Sequence, residues 1–126
     1  MKLKQIHHIA IIGSNYEHSR HFYVDLLGFE VVREVYREER KDWKIDLRIG
    51  ESEIELFIME NHPTRVNPPE AYGLRHLAFR VDSVEKTVQD LNALGIETEP
   101  IRLDPFTNNH MTFFKDPDGL PLEIHE

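Results

Sequence analysis

The sequence predicts an α+β fold made of two copies of one βαβββ module. Strand-like runs outnumber helical ones, and the order of elements repeats after a proline-rich segment. A histidine and a glutamate also recur 47 residues apart in each half, at His8 and Glu55 and again at His76 and Glu123. Independent structural residues have no reason to repeat at one spacing, so we interpret the chain as a duplicated module.

The length of 126 residues predicts a single domain that spans the whole chain. Its segment 61–73 contains three of the seven prolines and has no hydrophobic periodicity, which is typical of a connector. We therefore expect module 1 over about 1–60, the connector over 61–73 and module 2 over about 74–126.

The first module begins with an isoleucine-rich run over 5–12 that predicts a buried strand. Ser14 or Asn15 can cap the helix that follows, and Gly28 is expected to end it. The apolar stripe of this helix is predicted to consist of Phe22, Tyr23, Leu26 and Leu27. Three further strands are predicted over 29–38, 43–50 and 53–59.

The second module repeats this order, beginning with a strand over 74–81. Asp82 and Glu85 form a capping-box-like start for its helix, and Gly95 is expected to end it. The buried face of this helix is predicted to carry Val84, Val88, Leu91 and Leu94. Strands are predicted over 96–103, 110–116 and 120–126, the last two joined by a turn at "DPDG".

Composition and charge exclude several classes of function. The net charge of −8 and the isoelectric point near 5.4 argue against binding to nucleic acid or to an anionic membrane surface. The absence of cysteine excludes disulfides, thiolate nucleophiles and thiolate metal ligands. No apolar run is long enough to span a bilayer, and the first residues do not form a signal peptide, so we expect a cytoplasmic protein.

The repeated histidines and glutamates predict a metal site. Each glutamate stands between apolar residues of a strand, where an unpaired carboxylate costs several kcal/mol unless a cation, protonation or solvent compensates it. His8, Glu55, His76 and Glu123 on four equivalent strands offer one common solution, a divalent ion such as nickel, zinc, cobalt or manganese. The alternatives are a structural histidine and a solvated glutamate in each half. Ala10 and Ala78 would leave room beside the ion.

Other polar residues are weaker candidates. His18 and His21 are better explained by the exposed face of the first helix, and His7 is expected to be solvated on the opposite face of its strand. His110 and His125 are candidates for substrate contact. The loop 102–110 could form a rim or a lid, or simply be solvated; its polar residues include Arg102, Asp104, Thr107 and Asn108.

The segments "HHIAI", "FYVDLLGFE", "IELF", "RHLAFRV" and "FFKDPDGLPLEI" resemble the vicinal oxygen chelate superfamily along the whole chain. This superfamily includes glyoxalase I, extradiol dioxygenases, methylmalonyl-CoA epimerase, and fosfomycin- and bleomycin-resistance proteins. The resemblance implies curled mixed sheets that form a cup around one divalent metal ion. It also implies the ligands His8, Glu55, His76 and Glu123.

Within the superfamily, two histidines with two glutamates are the glyoxalase I pattern. Epimerases generally carry glutamine at the position of Glu55, and dioxygenases and fosfomycin enzymes use a single glutamate. Bleomycin-binding members lack the ligands. Ile12 departs from the pattern, because glutathione-linked glyoxalases carry an arginine there, and Met59 replaces a usual asparagine. The chain therefore looks most similar to small bacterial glyoxalase-like proteins.

The resemblance implies a lyase or isomerase of the lactoylglutathione lyase type, which acts on a substrate with adjacent oxygens through a metal-stabilised enediolate. Glu123 is the preferred base and Glu55 the alternative. The competing functions are an epimerase or dioxygenase on the same scaffold, and a protein that sequesters a small molecule or drug. A homodimer is expected, with the ligands either within one chain or shared between two.

Overall fold

The computed structural model describes residues 1–126, which form eight strands, two α-helices and one π-helix. They group into two compact units, Met1–Pro63 and Thr64–Glu126. Each unit has the element order βαβββ, so the predicted α+β fold of two such modules is confirmed. No helix is both long enough and apolar enough to cross a membrane.

The first unit is a four-stranded mixed sheet with the order β1-β4-β3-β2. β1 runs parallel to β4, and the other neighbours are antiparallel. A short α1 continues directly into the π-helix between the first two strands. The elements are β1 (His8–Gly13), α1 (Tyr16–Arg20), the π-helix (His21–Leu26), β2 (Glu30–Arg37), β3 (Asp42–Ile49) and β4 (Ser52–Ile58).

The second unit repeats this topology, with the strand order β5-β8-β7-β6 and a parallel pairing between β5 and β8. Its other pairings are antiparallel. The elements are β5 (Leu77–Arg80), α2 (Val84–Ala93), β6 (Arg102–Leu103), β7 (His110–Lys115) and β8 (Pro121–His125).

Alternation along the strands separates an apolar face from a polar face in the first sheet. Ile45, Leu47, Ile54 and Leu56 are almost fully buried, whereas the residues between them carry charge. Phe22 and Tyr23 are also buried. A Cβ built on Gly13 would lie 2.6 Å from the hydroxyl of the buried Ser19, so a larger residue at this end of β1 would require the Ser19 side chain to shift. Because the apolar face of the first sheet forms the core, its polar face is available for function.

Three predicted details are wrong. The side chain of Ser83, not Asp82, caps α2, because its hydroxyl accepts a hydrogen bond from the Lys86 amide. Leu94 caps the end of that helix and is 47% exposed rather than on its buried face. Of the predicted strand 96–103 only Arg102–Leu103 pairs as a strand, since Pro100 has no amide proton for a sheet hydrogen bond.

The first helix also differs from the regular α-helix that its stripe predicts. Asn15 caps it, as expected, by accepting a hydrogen bond from the His18 amide. Its second half is a π-helix in which the Leu27 amide bonds to the Phe22 carbonyl, five residues back. The wider turn accompanies the burial of two adjacent aromatic rings, Phe22 and Tyr23.

Candidate metal centre

The first unit brings His8 and Glu55 together through the parallel pairing of β1 with β4. In this register Ala10 lies opposite Glu55. Because side chains alternate along a strand, His8 lies on the same face as Ala10, two residues away. The His8 Nε2 atom is 3.2 Å from Oε2 of Glu55. The pair is therefore a consequence of sheet register.

The second unit contains the same arrangement. Ala78 lies opposite Glu123 in the parallel pairing of β5 with β8, and His76 immediately precedes β5. The His76 Nε2 atom is 2.9 Å from Oε2 of Glu123, whose side chain is only 10% exposed. The repeated spacing of 47 residues thus has a structural cause, because each histidine lies two residues before the alanine that faces its glutamate.

Both pairs have the separation that two ligands of one ion require. Nitrogen and oxygen ligands lie about 2.0–2.2 Å from a first-row divalent ion, so two adjacent ligands of an octahedral ion are about 3 Å apart. The distances of 3.2 Å and 2.9 Å agree with this value. No group of three or more histidine, aspartate or glutamate side chains suited to a metal is present. Each unit by itself therefore supplies two of the four predicted ligands.

The two glutamates differ in their other partners. Lys44 on β3 lies with its Nζ atom 3.4 Å from Oε1 of Glu55, and it also forms an ion pair with the buried Asp46. Asp46 in turn accepts a hydrogen bond from Arg33 Nε at 2.8 Å. Glu123 forms its ion pair with His76 alone. Glu55 is therefore held by a permanent cation, and Glu123 is not.

The sequence interpretation missed Lys44, Asp46 and Arg33. The signal was present in "WKIDLRIG", where charged residues alternate with the buried Ile45 and Leu47. Since β3 is antiparallel to β4 with Asp46 opposite Glu55, this alternation places Lys44 and Asp46 on the face of the glutamate. The pairing partner of β3, which the periodicity does not reveal, was the missing information.

The second unit also contains a cleft of about 670 Å³ that includes His76 and Glu123. The His76 ring meets the Phe113 ring edge-on, with 5.0 Å between their centres. The Arg102 guanidinium lies over the same ring, 5.4 Å from its centre. Phe106 and Lys115 line the cleft as well. The cleft that includes the histidine–glutamate pair is therefore lined by aromatic rings and by three cations, those of Arg75, Arg102 and Lys115.

His125 is used to fasten the loop that follows β6. Its Nδ1 atom lies 2.6 Å from the Glu126 carbonyl, and its Nε2 atom lies 3.1 Å from Oδ2 of Asp104. The Glu126 carbonyl, and after it Asp104, raise the pKa of His125. The Phe106 amide, and after it His125, lower the pKa of Asp104. Contact of His125 with substrate stays a prediction, but its role in holding this loop is visible.

The remaining candidates lie apart from the two pairs. His18 is exposed, and His21 pairs with Asp25 on the exposed surface of the π-helix, as expected. His110 lies beside Glu85 and Glu126 at 3.8 Å and 3.7 Å. His7 is exposed, as expected, but it also contacts its neighbour: its Nδ1 atom lies 2.9 Å from Nδ1 of His8. This contact orients the His8 ring with Nε2 toward Glu55.

Comparison with known proteins identifies the family. The model of the Glyoxalase/Bleomycin resistance protein/Dioxygenase superfamily matches residues 5–124. The chain belongs to this superfamily. It is 59% identical over 127 residues to the uncharacterized protein YwkD of Bacillus subtilis (strain 168), a match that covers 100% of this chain and 99% of YwkD.

Solved structures in the superfamily have the same fold. A glyoxalase family protein from Enterococcus faecalis is 56% identical, covers all of both chains and superimposes with a TM-score of 0.94. Lactoylglutathione lyase from Agrobacterium tumefaciens superimposes with a TM-score of 0.76 over 100% of this chain and 96% of its own. Its identity is 22%, so this second likeness concerns the fold alone.

Proposed function

We propose that this superfamily member is a metal-dependent lyase or isomerase of the glyoxalase I type that acts on a small substrate with adjacent oxygens. The observation that carries the proposal is the recurrence of one histidine–glutamate pair at the same register position of both sheets. A protein that only sequesters a small molecule does not need two carboxylates of low exposure, each paired with a histidine.

His8, Glu55, His76 and Glu123 are the proposed ligands of one divalent cation. Imidazole nitrogen and carboxylate oxygen together suit nickel, zinc, cobalt or manganese. When bound, such a cation supplies a Lewis acid for the negative charge that develops on the adjacent oxygens of the substrate. The histidine–glutamate separations near 3 Å support this assignment.

Glu123 is the proposed base. It takes a proton from a carbon of the substrate and returns it to the neighbouring carbon, so that the net reaction is an isomerisation. Lys44 favours this assignment, because its ammonium group forms an ion pair with Glu55 and holds that carboxylate in place. Glu123 has no lysine or arginine partner, and its side chain lines the cleft of the second unit.

The proposal includes a homodimer. Each unit supplies two ligands, so the full set requires a first unit and a second unit together, either from one chain or from two. We propose that a dimer satisfies this requirement, as the glyoxalase I pattern implies. Light scattering on the purified protein measures the oligomeric state directly.

The test combines metal content with turnover. Protein purified without chelator or polyhistidine tag is analysed by elemental mass spectrometry and then assayed with hemithioacetals of methylglyoxal and with 2-hydroxy ketones. We expect close to one divalent ion per chain, its loss in His76→Ala, and turnover of at least one of these substrates. His18→Ala is the matched control, since His18 is exposed and lies outside both pairs. Absence of metal after supply of nickel, zinc, cobalt or manganese contradicts the proposal.

A further inference from the structure

We propose that the cleft of the second unit binds the anionic group of a small organic acid through Arg102, with the apolar body of the acid against Phe113 and Phe106. The inference names a substrate class for the reaction proposed above, and its catalytic meaning rests on that proposal. The binding site itself is argued from the cleft alone.

Arg102 is a cation without a carboxylate partner. It lies on the short strand β6, is exposed, and its side chain forms neither a hydrogen bond nor an ion pair. Its Cζ atom lies over the Phe113 ring, and no carboxylate of the protein pairs with its N–H groups, which are therefore available to an oxyanion. Other arginines bind carboxylates at 2.6–2.8 Å, namely Arg20, Arg33, Arg37 and Arg75.

Two of the cations that line the cleft form no ion pair. Three of its carboxylates already have cationic or histidine partners: Glu70 pairs with Arg75, Glu123 with His76 and Asp104 with His125. Among the remaining charged residues, Arg102 and Lys115 face a single carboxylate, that of Glu99. The lining of the cleft contains four carboxylates and three lysine or arginine side chains, and of these cations only Arg75 forms an ion pair. Arg102 and Lys115 are therefore the cationic groups that remain available to an anionic ligand.

The position of the cation connects it to the proposed metal centre. The Phe113 ring lies in a T-shaped contact with the His76 ring and also has the Arg102 guanidinium over it. An anion bound at Arg102 is therefore separated from the His76–Glu123 pair by one aromatic ring. A substrate can place its acid group at Arg102 while its reactive carbons lie beside Glu123.

The apolar part of the ligand is inferred from Phe106. This side chain is 95% exposed, although its backbone is fixed by a 2.8 Å hydrogen bond from its amide to Oδ1 of Asp104. Asp104 is itself fastened to His125. An exposed aromatic ring on a loop whose backbone is fixed forms an apolar rim for the cleft. A loop that is simply solvated would present polar side chains there instead. Phe113 supplies the second apolar surface.

The experiment measures binding by isothermal titration calorimetry to the full-length protein, with and without added zinc, at fixed ionic strength. The probes are phenylacetate, benzylphosphonate and the neutral phenylacetamide. We expect phenylacetate to bind at least about tenfold more tightly than phenylacetamide, as a charge-assisted hydrogen bond requires. Phenylacetate and benzylphosphonate should both bind more tightly than phenylacetamide. The acid with the lower Kd shows whether a carboxylate or a phosphonate fits the site better.

The variants assign this preference to Arg102. Arg102→Gln should bind phenylacetate and phenylacetamide equally, and its thermal midpoint should equal that of the natural sequence. Arg80→Gln is the matched control, because Arg80 is an exposed arginine of the same sheet that forms no ion pair and does not line the cleft. Equal binding of phenylacetate and phenylacetamide overturns the inference, as does a preference that survives in Arg102→Gln or falls equally in Arg80→Gln.

Metal content and turnover of the same preparations separate the two proposals. A preference for the acids that depends on Arg102, in a protein that retains no metal, contradicts the proposed function and supports the anion site. Metal binding and turnover without any preference for the acids contradict the anion site and leave the proposed function intact.

Discussion

The Lys44 ammonium lies 3.4 Å from Oε1 of Glu55, and no lysine or arginine forms an equivalent contact with Glu123. This difference distinguishes two sites that are otherwise related by the repeat. The ion pair holds the Glu55 carboxylate in place, whereas the Glu123 carboxylate has no such contact and is freer to approach a substrate. The two glutamates are therefore expected to have different roles, although each faces its alanine at the same register position.

The first prediction concerns these glutamates. Glu123→Gln retains an oxygen donor but cannot take a proton, so we expect kcat/KM to fall by a factor of about 10²–10⁴. Glu55→Gln should lose metal affinity and keep a larger share of turnover per bound ion. Steady-state kinetics normalised to metal content measure both. Equal loss in the two variants contradicts the assignment of Glu123 as the base.

The second prediction removes the lysine. In Lys44→Gln, Glu55 is no longer held by an ammonium group and is free to approach the substrate in place of Glu123. We therefore expect Glu123→Gln to cost less activity in the Lys44→Gln background than in the natural sequence, which a double-mutant cycle quantifies. The control is Lys86→Gln, whose lysine pairs with the exposed Asp90 on α2. Strict additivity of the two substitutions would argue against the role of Lys44.

The third prediction is a pH dependence of stability. Asp42 is buried and receives two hydrogen bonds from Arg37, at 2.7 Å and 2.6 Å. Arg37 lowers the pKa of Asp42. The pair therefore stabilises the fold above the unfolded pKa of about 3.9, and the contribution is lost as the pH falls through the lower folded value.

Asp42→Asn should accordingly lower the thermal midpoint at pH 7, and the difference from the natural sequence should shrink below about pH 4. Thermal unfolding followed by circular dichroism, at several pH values from 7 to below about 4, measures this difference in thermal midpoint. Glu30→Gln is the control, because Glu30 is exposed and its 3.8 Å ion pair with Arg48 is a weak surface contact. A constant difference across this pH range contradicts the assignment.

The fourth prediction tests how the four ligands are assembled. His8→Ala and His76→Ala each remove one ligand, and we expect each variant alone to be inactive. If the sites combine units of two chains, a mixed dimer of the two variants contains one intact site and one that lacks both histidines. Refolding equal amounts of the variants together should then restore activity toward about one quarter of the natural value, because half of the dimers are mixed and each mixed dimer has one intact site of two. If each site lies within one chain, mixing restores nothing.

Much of the fold was predictable because strong local signals determine it. Caps and glycines mark the helices, and the repeat of His8, Glu55, His76 and Glu123 reveals the duplication in the sequence alone. Gly28 and Gly95 have positive φ of 75° and 81°, as the predicted ends of the two helices require. The register of Ala10 with Glu55, in contrast, depends on the parallel pairing of β1 with β4, which the sequence pattern does not reveal.

The missed features depend on tertiary contacts. The Lys44–Glu55 contact requires knowledge that β3 pairs with β4, and periodicity alone does not reveal the partner of a strand. The π-helix at Phe22 and Tyr23 accompanies packing of adjacent rings, which no helical periodicity anticipates. The stacking of Arg102 on Phe113 joins strands that a loop separates in the sequence.

Both histidine–glutamate pairs are proposed to hold one and the same ion. Elemental mass spectrometry of the natural sequence, His8→Ala and His76→Ala, purified in parallel without tag or chelator, tests it most directly. The account predicts about one divalent ion per chain in the natural protein and loss of that ion in either variant, because each unit supplies only part of the ligand set. Two ions per chain, or an ion that is retained when His8 is replaced, would contradict it.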